Sequence, residues 1–166
     1  MDKTAKRHKL VEINIKENVP RVFILFLQTA HTVQKYCDKE LYYKEGLYMP
    51  TLAVLQILND NGGTMMPSAI ATLMLVEKQS ITALVGRMSR DGLVRVERGL
   101  CSDRRHVNVI LTDRGRRVLE KALPVNKEIT DQIMANLGEN DVTSLENLLK
   151  KLRVNAKEGL AHTFGK

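Results

Sequence analysis

The chain of 166 residues has no tryptophan, four tyrosines and three phenylalanines. With so few rings and 43% apolar residues, it points to an aliphatic, helical core, and its length suffices to bury one. Cysteine is equally scarce. Cys37 and Cys101 stand far apart in sequence, which excludes a disulfide framework. No run approaches the ~20 apolar residues of a membrane span. The polar start, Met1 to Leu10, lacks the apolar stretch of a secretion signal. The expectation is a cytoplasmic protein with no membrane partner. Also missing are a glycine-rich phosphate loop, a nucleophile elbow and any Cys/His cluster with metal spacing. His8, His31, His106 and His162 are scattered. These gaps argue against an enzyme, a cofactor or a bound metal.

What the chain has is arginine, and in one place. Nine of its twelve arginines fall between Arg87 and Arg117, a window with no lysine and only four acids. The window carries +5 of the net +7 of the whole chain, whose isoelectric point is near 9.5. Arginine suits planar, multi-donor recognition of phosphates and base edges, so concentrating it here points to a nucleic-acid partner. An evenly solvated basic surface would spread lysine and arginine along the chain instead.

Helical periodicity dominates the pattern around that window. Val22, Phe23, Phe26, Ala30, Val33, Cys37 and Leu41 recur at three- and four-residue steps, predicting one long amphipathic helix after Pro20 that ends by Gly46. Pro50 opens a second helix with Leu52, Leu55 and Leu58 inward, broken by Asn59 to Gly63. Pro67 starts a short helix to Met74, with Ile70, Ala71 and Met74 on its buried side. Another helix over 78–90 places Ile81, Leu84, Val85 and Met88 inward, and Asp91-Gly92 closes it. Leu93–Arg98 and Arg105–Leu111 alternate as a hairpin joined by Gly99 to Arg104. Thr112 is placed to cap a helix running from Asp113 toward Leu137, with Pro124 predicting a kink. Val142, Leu145, Leu148, Leu149 and Leu152 mark a last helix. The fold class expected is mainly α with a small β-hairpin wing. Two short helices, the second amphipathic and followed by a basic hairpin, have winged helix-turn-helix geometry.

The segment Arg87-Met-Ser-Arg-Asp-Gly-Leu-Val-Arg-Val-Glu-Arg98, followed by Asp103, Arg105, Leu111, Thr112 and Gly115 in register, resembles the MarR family of transcription regulators. Gly46-Leu47 and Pro50 extend the likeness, as does the helix order over about residues 20–157. The resemblance implies a homodimer whose terminal helices interlock. It also implies two winged lobes on a pseudo-palindromic DNA operator, repression of the target, and a small-molecule effector that releases DNA. The division expected is 1–46 as N-terminal arm and long helix for dimerisation, 47–112 as DNA-binding lobe, and 113–166 as C-terminal dimerisation helices. The apolar segment Leu10–Ile15 and the last helix carry more apolar surface than a monomer would hide, which points the same way.

The expected double-stranded DNA contacts are Lys78, Gln79, Ser80, Thr82 and Arg87 on the recognition helix, with Arg98 beside them as a phosphate contact. At the wing tip, Arg104 or Arg105 would enter the minor groove, and Asp103 would orient the Arg105 guanidinium. Arg90 and Arg95 are further phosphate candidates, whereas Arg114, Arg116 and Arg117 face solvent or a partner subunit. Departures from the family pattern leave the recognition helix lean: Glu77 stands where Ser or Thr usually caps it, Ala83 where a polar residue is common, and Gly86 where an acid is common. That leanness keeps open a winged-helix protein-interaction module without DNA binding. The resemblance places a ligand pocket between the first helix and the lobe, with His31, Tyr36, Tyr43 and Met49 as lining candidates. Cys37 has two readings. Some relatives sense peroxide through a first-helix cysteine, which would make this a redox regulator of the same fold; the competing reading is a small buried hydrophobe.

Overall fold

The computed structural model describes residues 18–98 and 107–164. Leu10–Ile15 and the wing-tip residues Cys101, Asp103, Arg104, Arg105 and His106 lie outside the described residues. The chain divides into two compact units after Val125. In the first unit, α1 (Asn18–Glu45) leads to α2 (Met49–Asp60), β1 (Thr64–Met65), α3 (Pro67–Met74) and α4 (Lys78–Arg90). The strands β2 (Val94–Arg98) and β3 (Val107–Leu111) follow, and then α5 (Asp113–Met134), which continues helical through Pro124 into the second unit. That unit ends with α6 (Glu139–Phe164).

The helical boundaries follow local chemistry. Pro20 sits inside the first turns of α1, so the helix begins before that proline rather than after it. Gly46, at φ +67, ends α1 with its N–H donating to the Tyr42 carbonyl. Pro50 lies in the first turn of α2, where a missing N–H costs nothing. The first N–H of α2, that of Met49, donates instead to the Asp38 carboxylate at 2.8 Å, so α1 caps α2 from outside. Leu52, Val54, Leu55 and Leu58 are buried. Each fully buried leucine contributes roughly 2 kcal/mol in transfer free energy.

The helix-turn-helix is made by α3 and α4, whose axes turn by 114°, within the ~90–120° range of that motif. Leu75 makes the turn in the left-handed region at φ 57, its N–H returning to the Thr72 carbonyl. α4 buries Ile81, Leu84, Val85 and Met88, the four positions that its periodicity marked. Ile70 and Ala71 of α3 are buried, and Met74 is half-buried.

The sheet has one strand more than alternation alone suggested. Its order is β1-β3-β2, all antiparallel, with Thr64 opposite Ile110 and Val96 opposite Val109. β1 is two residues long, too short to alternate visibly, and it forms because the Gly62-Gly63 turn lays the chain along the free edge of β3. The Leu111 N–H donates to the Gly63 carbonyl at 2.8 Å. One face of the sheet presents Val94, Val109 and Leu111 to the core.

Thr112 joins the sheet to α5. Its hydroxyl oxygen accepts from the Gly115 N–H at 3.0 Å and its proton points toward the Gly92 and Leu93 carbonyls. Gly115 must be glycine here: a Cβ would stand 2.2 Å from the Leu93 carbonyl oxygen and 2.8 Å from Leu111 Cδ1. The Thr112 cap and Gly115 therefore form one clasp, closing α5 onto the start of β2.

Candidate nucleic-acid interface

α4 is a two-sided element. Behind it lies the dry face just described, while Lys78, Gln79, Ser80, Thr82, Ala83 and Arg87 are exposed. No acid occurs along its length, and Arg87 and Arg90 occupy its last turn. At about 100° per residue, Gln79, Ala83 and Arg90 share the outermost stripe. Ser80 and Arg87 stand on one flank, and Lys78, Thr82 and Ser89 on the other. The Thr82 hydroxyl donates back to the Lys78 carbonyl at 3.0 Å, which leaves its oxygen free to accept. Glu77 occupies the N-cap position without a side-chain cap bond. It brings no capping hydrogen bond to the helix; an acid at that end suits the helix dipole only through its charge.

The arginines divide by their surroundings. Arg95 pairs with Glu97 two residues along β2 at 2.8 Å. Both side chains are exposed, and an exposed pair of this kind is worth roughly 0–1 kcal/mol, so a phosphate can displace it. Arg98 closes β2 next to the wing tip. Arg114 and Arg116 do more than face solvent: the Arg116 guanidinium lies 3.0 Å from where a Cβ on Gly63 would stand, and Arg114 runs over Gly92. Each fills space left by a turn glycine. Nothing in the sequence marks this, because glycine and arginine are about fifty and twenty residues apart.

The effector candidates sit on α1 and at the start of α2. Tyr36 and Tyr43, seven residues apart, share one face of α1, with Tyr43 almost fully exposed. His31 is exposed about 140° around the helix from Tyr36. Met49 is half-buried, its backbone held by Asp38. The rings of Tyr42 and Tyr48 stack with centroids 4.9 Å apart. Cys37 is a buried free thiol. Burial, aided by the neighbouring Asp38 carboxylate, pushes it above the ordinary thiol range and disfavours the thiolate. Among the described residues, no three His, Cys, Asp or Glu side chains gather where a metal could sit. No single helix there is long and apolar enough to cross a membrane.

Residues 46–105 match the sequence profile of the MarR family. Over 145 residues the chain is 34% identical to the transcriptional activatory protein BadR of Rhodopseudomonas palustris, an alignment covering 82% of this chain and 79% of BadR. An organohalide-sensing RdhR transcriptional regulator in its 2,4-dichlorophenol-bound form has the same fold, with a TM-score of 0.80, 24% identity, and coverage of 98% of this chain and 95% of that one. A MarR family transcriptional regulator from Streptomyces coelicolor, solved in complex with DNA, gives a TM-score of 0.74 at 22% identity over 80% of this chain and 83% of that one. The buried and exposed faces of α4, the Thr112–Gly115 clasp and these likenesses agree: the chain belongs to the MarR family of winged-helix, DNA-binding transcription regulators.

Proposed function

We propose that the chain acts as a homodimer that binds a pseudo-palindromic operator through α4 and the wing, represses transcription, and releases DNA when a small effector binds. The observation that carries this is α4 itself: a helix with one dry face, no acid, and Lys78, Gln79, Ser80, Thr82 and Arg87 outward. Gln79 has the side chain to pair with adenine in bidentate fashion. Arg87, Arg98 and, beyond the described residues, Arg104 and Arg105 supply phosphate and minor-groove contacts, with Asp103 orienting Arg105. Function divides among 1–46, 47–112 and 113–166 as arm, reading lobe and dimerising end. Exposed Val19, Val22, Phe23, Leu25 and Leu27 on α1, and Leu145, Leu148 and Leu152 on α6, support the dimer. The 2,4-dichlorophenol bound to the RdhR regulator supports a small-molecule effector, with His31, Tyr36, Tyr43 and Met49 as candidates for its lining. Cys37 is a packing residue in this reading.

The test is binding of the protein to its own promoter region, titrated with salt. A dimer making about 6–10 phosphate contacts loses roughly 10³–10⁵ in affinity between 50 and 200 mM salt. Footprinting should protect inverted half-sites ~10 bp apart. Arg105→Ala removes a contact worth on the order of 1–3 kcal/mol per half-site, so affinity should fall at least tenfold. Asp103→Ala should weaken binding too, against simple charge counting, because the guanidinium loses its orienting partner. Tighter binding by Asp103→Ala would reduce the wing to a basic patch. No salt-dependent binding at all would favour the interaction module. A dimer seated across a promoter excludes polymerase with no further contact, so deletion of the gene should raise the target transcript. A fall would reverse the sign, in line with the activatory name of BadR.

A further inference from the structure

α2 begins without a side-chain cap of its own. Tyr48 holds the N-cap position but makes no capping hydrogen bond, and the first turn carries no acid. The backbone takes two of the early donors: the Thr51 and Leu52 N–H groups both donate to the Tyr48 carbonyl, at 2.9 and 3.2 Å. Pro50 has no N–H to place. The donor left over is the Met49 N–H, and Asp38, on α1, accepts it at 2.8 Å. The carboxylate is half-buried, and its charge suits the positive end of the α2 dipole. Tyr48 is tied to α1 as well, its ring stacked on Tyr42.

A serine, threonine or aspartate at position 48 would cap α2 from within and leave it independent of α1. In this chain both devices at the start of α2 run instead to the C-terminal end of α1, across a connection of only Gly46, Leu47 and Tyr48. Leu41 and Leu47, beside them, are buried. The result is an elbow held by a hydrogen bond, a ring stack and apolar packing. α2 in turn packs on α3, α4 and the sheet. An angle fixed between α1 and α2 is therefore an angle fixed between α1 and the reading helix.

We propose that Asp38, together with the Tyr42–Tyr48 stack, is a positioning device: it sets the angle of α4 to α1, and through the dimer it selects the half-site spacing that the protein accepts. One base pair more or fewer between half-sites shifts them by about 3.4 Å and turns them by about 35°. A lobe held by its three-residue connection alone can swing to follow such a change, whereas a lobe clasped at Asp38 cannot. Discrimination between spacings is then a difference in affinity that rigidity supplies, with no base contact of its own. The spacing role rests on the dimeric DNA reading above; the fixed angle does not.

Binding of the full chain to operators of natural spacing, and with one base pair inserted or removed between half-sites, tests the spacing role. The parent protein should bind each altered operator at least tenfold more weakly than the natural one. Asp38→Ala should lose affinity mainly for the natural spacing, so its preference should fall below threefold. Asp38→Asn keeps an oxygen that accepts the Met49 N–H and should keep the parent's preference. Equal losses by Asp38→Ala on all three operators would reduce Asp38 to a stability cap and overturn the role. An intact preference in Asp38→Ala, or a lost one in Asp38→Asn, would overturn it too. Tyr48→Ser gives α2 a cap of its own while removing the stack, so its melting temperature should hold while its preference weakens; an undiminished preference would overturn the part given to the stack. The angle itself is read without DNA by spin labels on Lys35→Cys and Ala83→Cys, both exposed positions, in a Cys37→Ser, Cys101→Ser background diluted with unlabelled chain. The distance distribution should broaden at least twofold on adding Asp38→Ala, and an unchanged width would overturn the elbow. Broadening in a protein that holds no promoter DNA would defeat the DNA reading, and the spacing role with it, and leave the elbow standing.

Discussion

The winged lobe and the terminal helices carry similar apolar stripes but finish them differently. In the lobe, Ile81, Leu84, Val85 and Met88 of α4 meet α3, the sheet and α2, and all four are buried. On α1, the same three- and four-residue spacing leaves Val22 and Phe23 more than half exposed, and only Cys37 and Leu41 of that stripe are buried. On α6, every residue from Glu139 to Leu160 is exposed except half-buried Leu149. The lobe supplies both sides of its own core, and the ends supply one side. Periodicity identifies a face that must be covered; it does not say whether the cover comes from the same chain.

The contrast can be broken from the lobe side first. Gly115→Ala forces a Cβ against the Leu93 carbonyl oxygen, which the backbone must yield to. The expected loss is about 2–3 kcal/mol, seen as a fall of roughly 5–10 °C in the melting temperature. An unchanged melting temperature would mean that the clasp between α5 and β2 is slack. A second measurement probes the ends. Leu148→Asp with Leu152→Asp places two charges on an exposed stripe, so monomer stability should hardly change while dimer affinity falls at least a hundredfold, about 2.7 kcal/mol. Sedimentation at micromolar concentration reads this. A dimer that survives would move the interface away from α6, and a parent protein that sediments as a monomer would remove it altogether.

The smallest effect is expected at Cys37, where the two regions meet in one residue, buried yet on the largely uncovered helix. Its raised thiol keeps little thiolate at neutral pH, and the thiolate fraction grows only as pH rises beyond the ordinary thiol range. Peroxide treatment of a Cys101→Ser protein should therefore change promoter affinity by less than about twofold, and Cys37→Ser should cost only about 1 kcal/mol of stability. Peroxide-driven release from the Cys101→Ser protein, abolished by Cys37→Ser, would establish the redox reading instead.

Much of the fold was legible because its signals are local. The bounds of α4 follow from one amphipathic stripe ended by Asp91-Gly92. The hairpin follows from alternation, and the start of α5 from a threonine whose hydroxyl reaches three residues ahead. β1 escaped because two residues have no period, and its existence depends on the bare edge of β3. The Asp38 cap on α2 escaped because its carboxylate and its donor are eleven residues apart across a turn. At the candidate interface, helical spacing alone puts Gln79 outward and Ile81 inward. It cannot reveal that Lys78 and Thr82 share a flank with Val96 and Val107, since that requires the sheet to fold back on the helix.

Composition and periodicity by themselves determined an aliphatic, helix-rich chain with one arginine-dense hairpin following a short amphipathic helix. Each of those properties is a sum over near neighbours, and backbone geometry converts it directly into faces and turns. Tertiary structure alone decided what each face meets. It made Gly115 obligatory by bringing the Leu93 carbonyl within 2.2 Å of its missing Cβ, and it laid the Arg116 guanidinium against Gly63 and Arg114 over Gly92. These are contacts between elements distant in sequence, or consequences of how closely backbones approach. A sequence encodes them only through the packed whole.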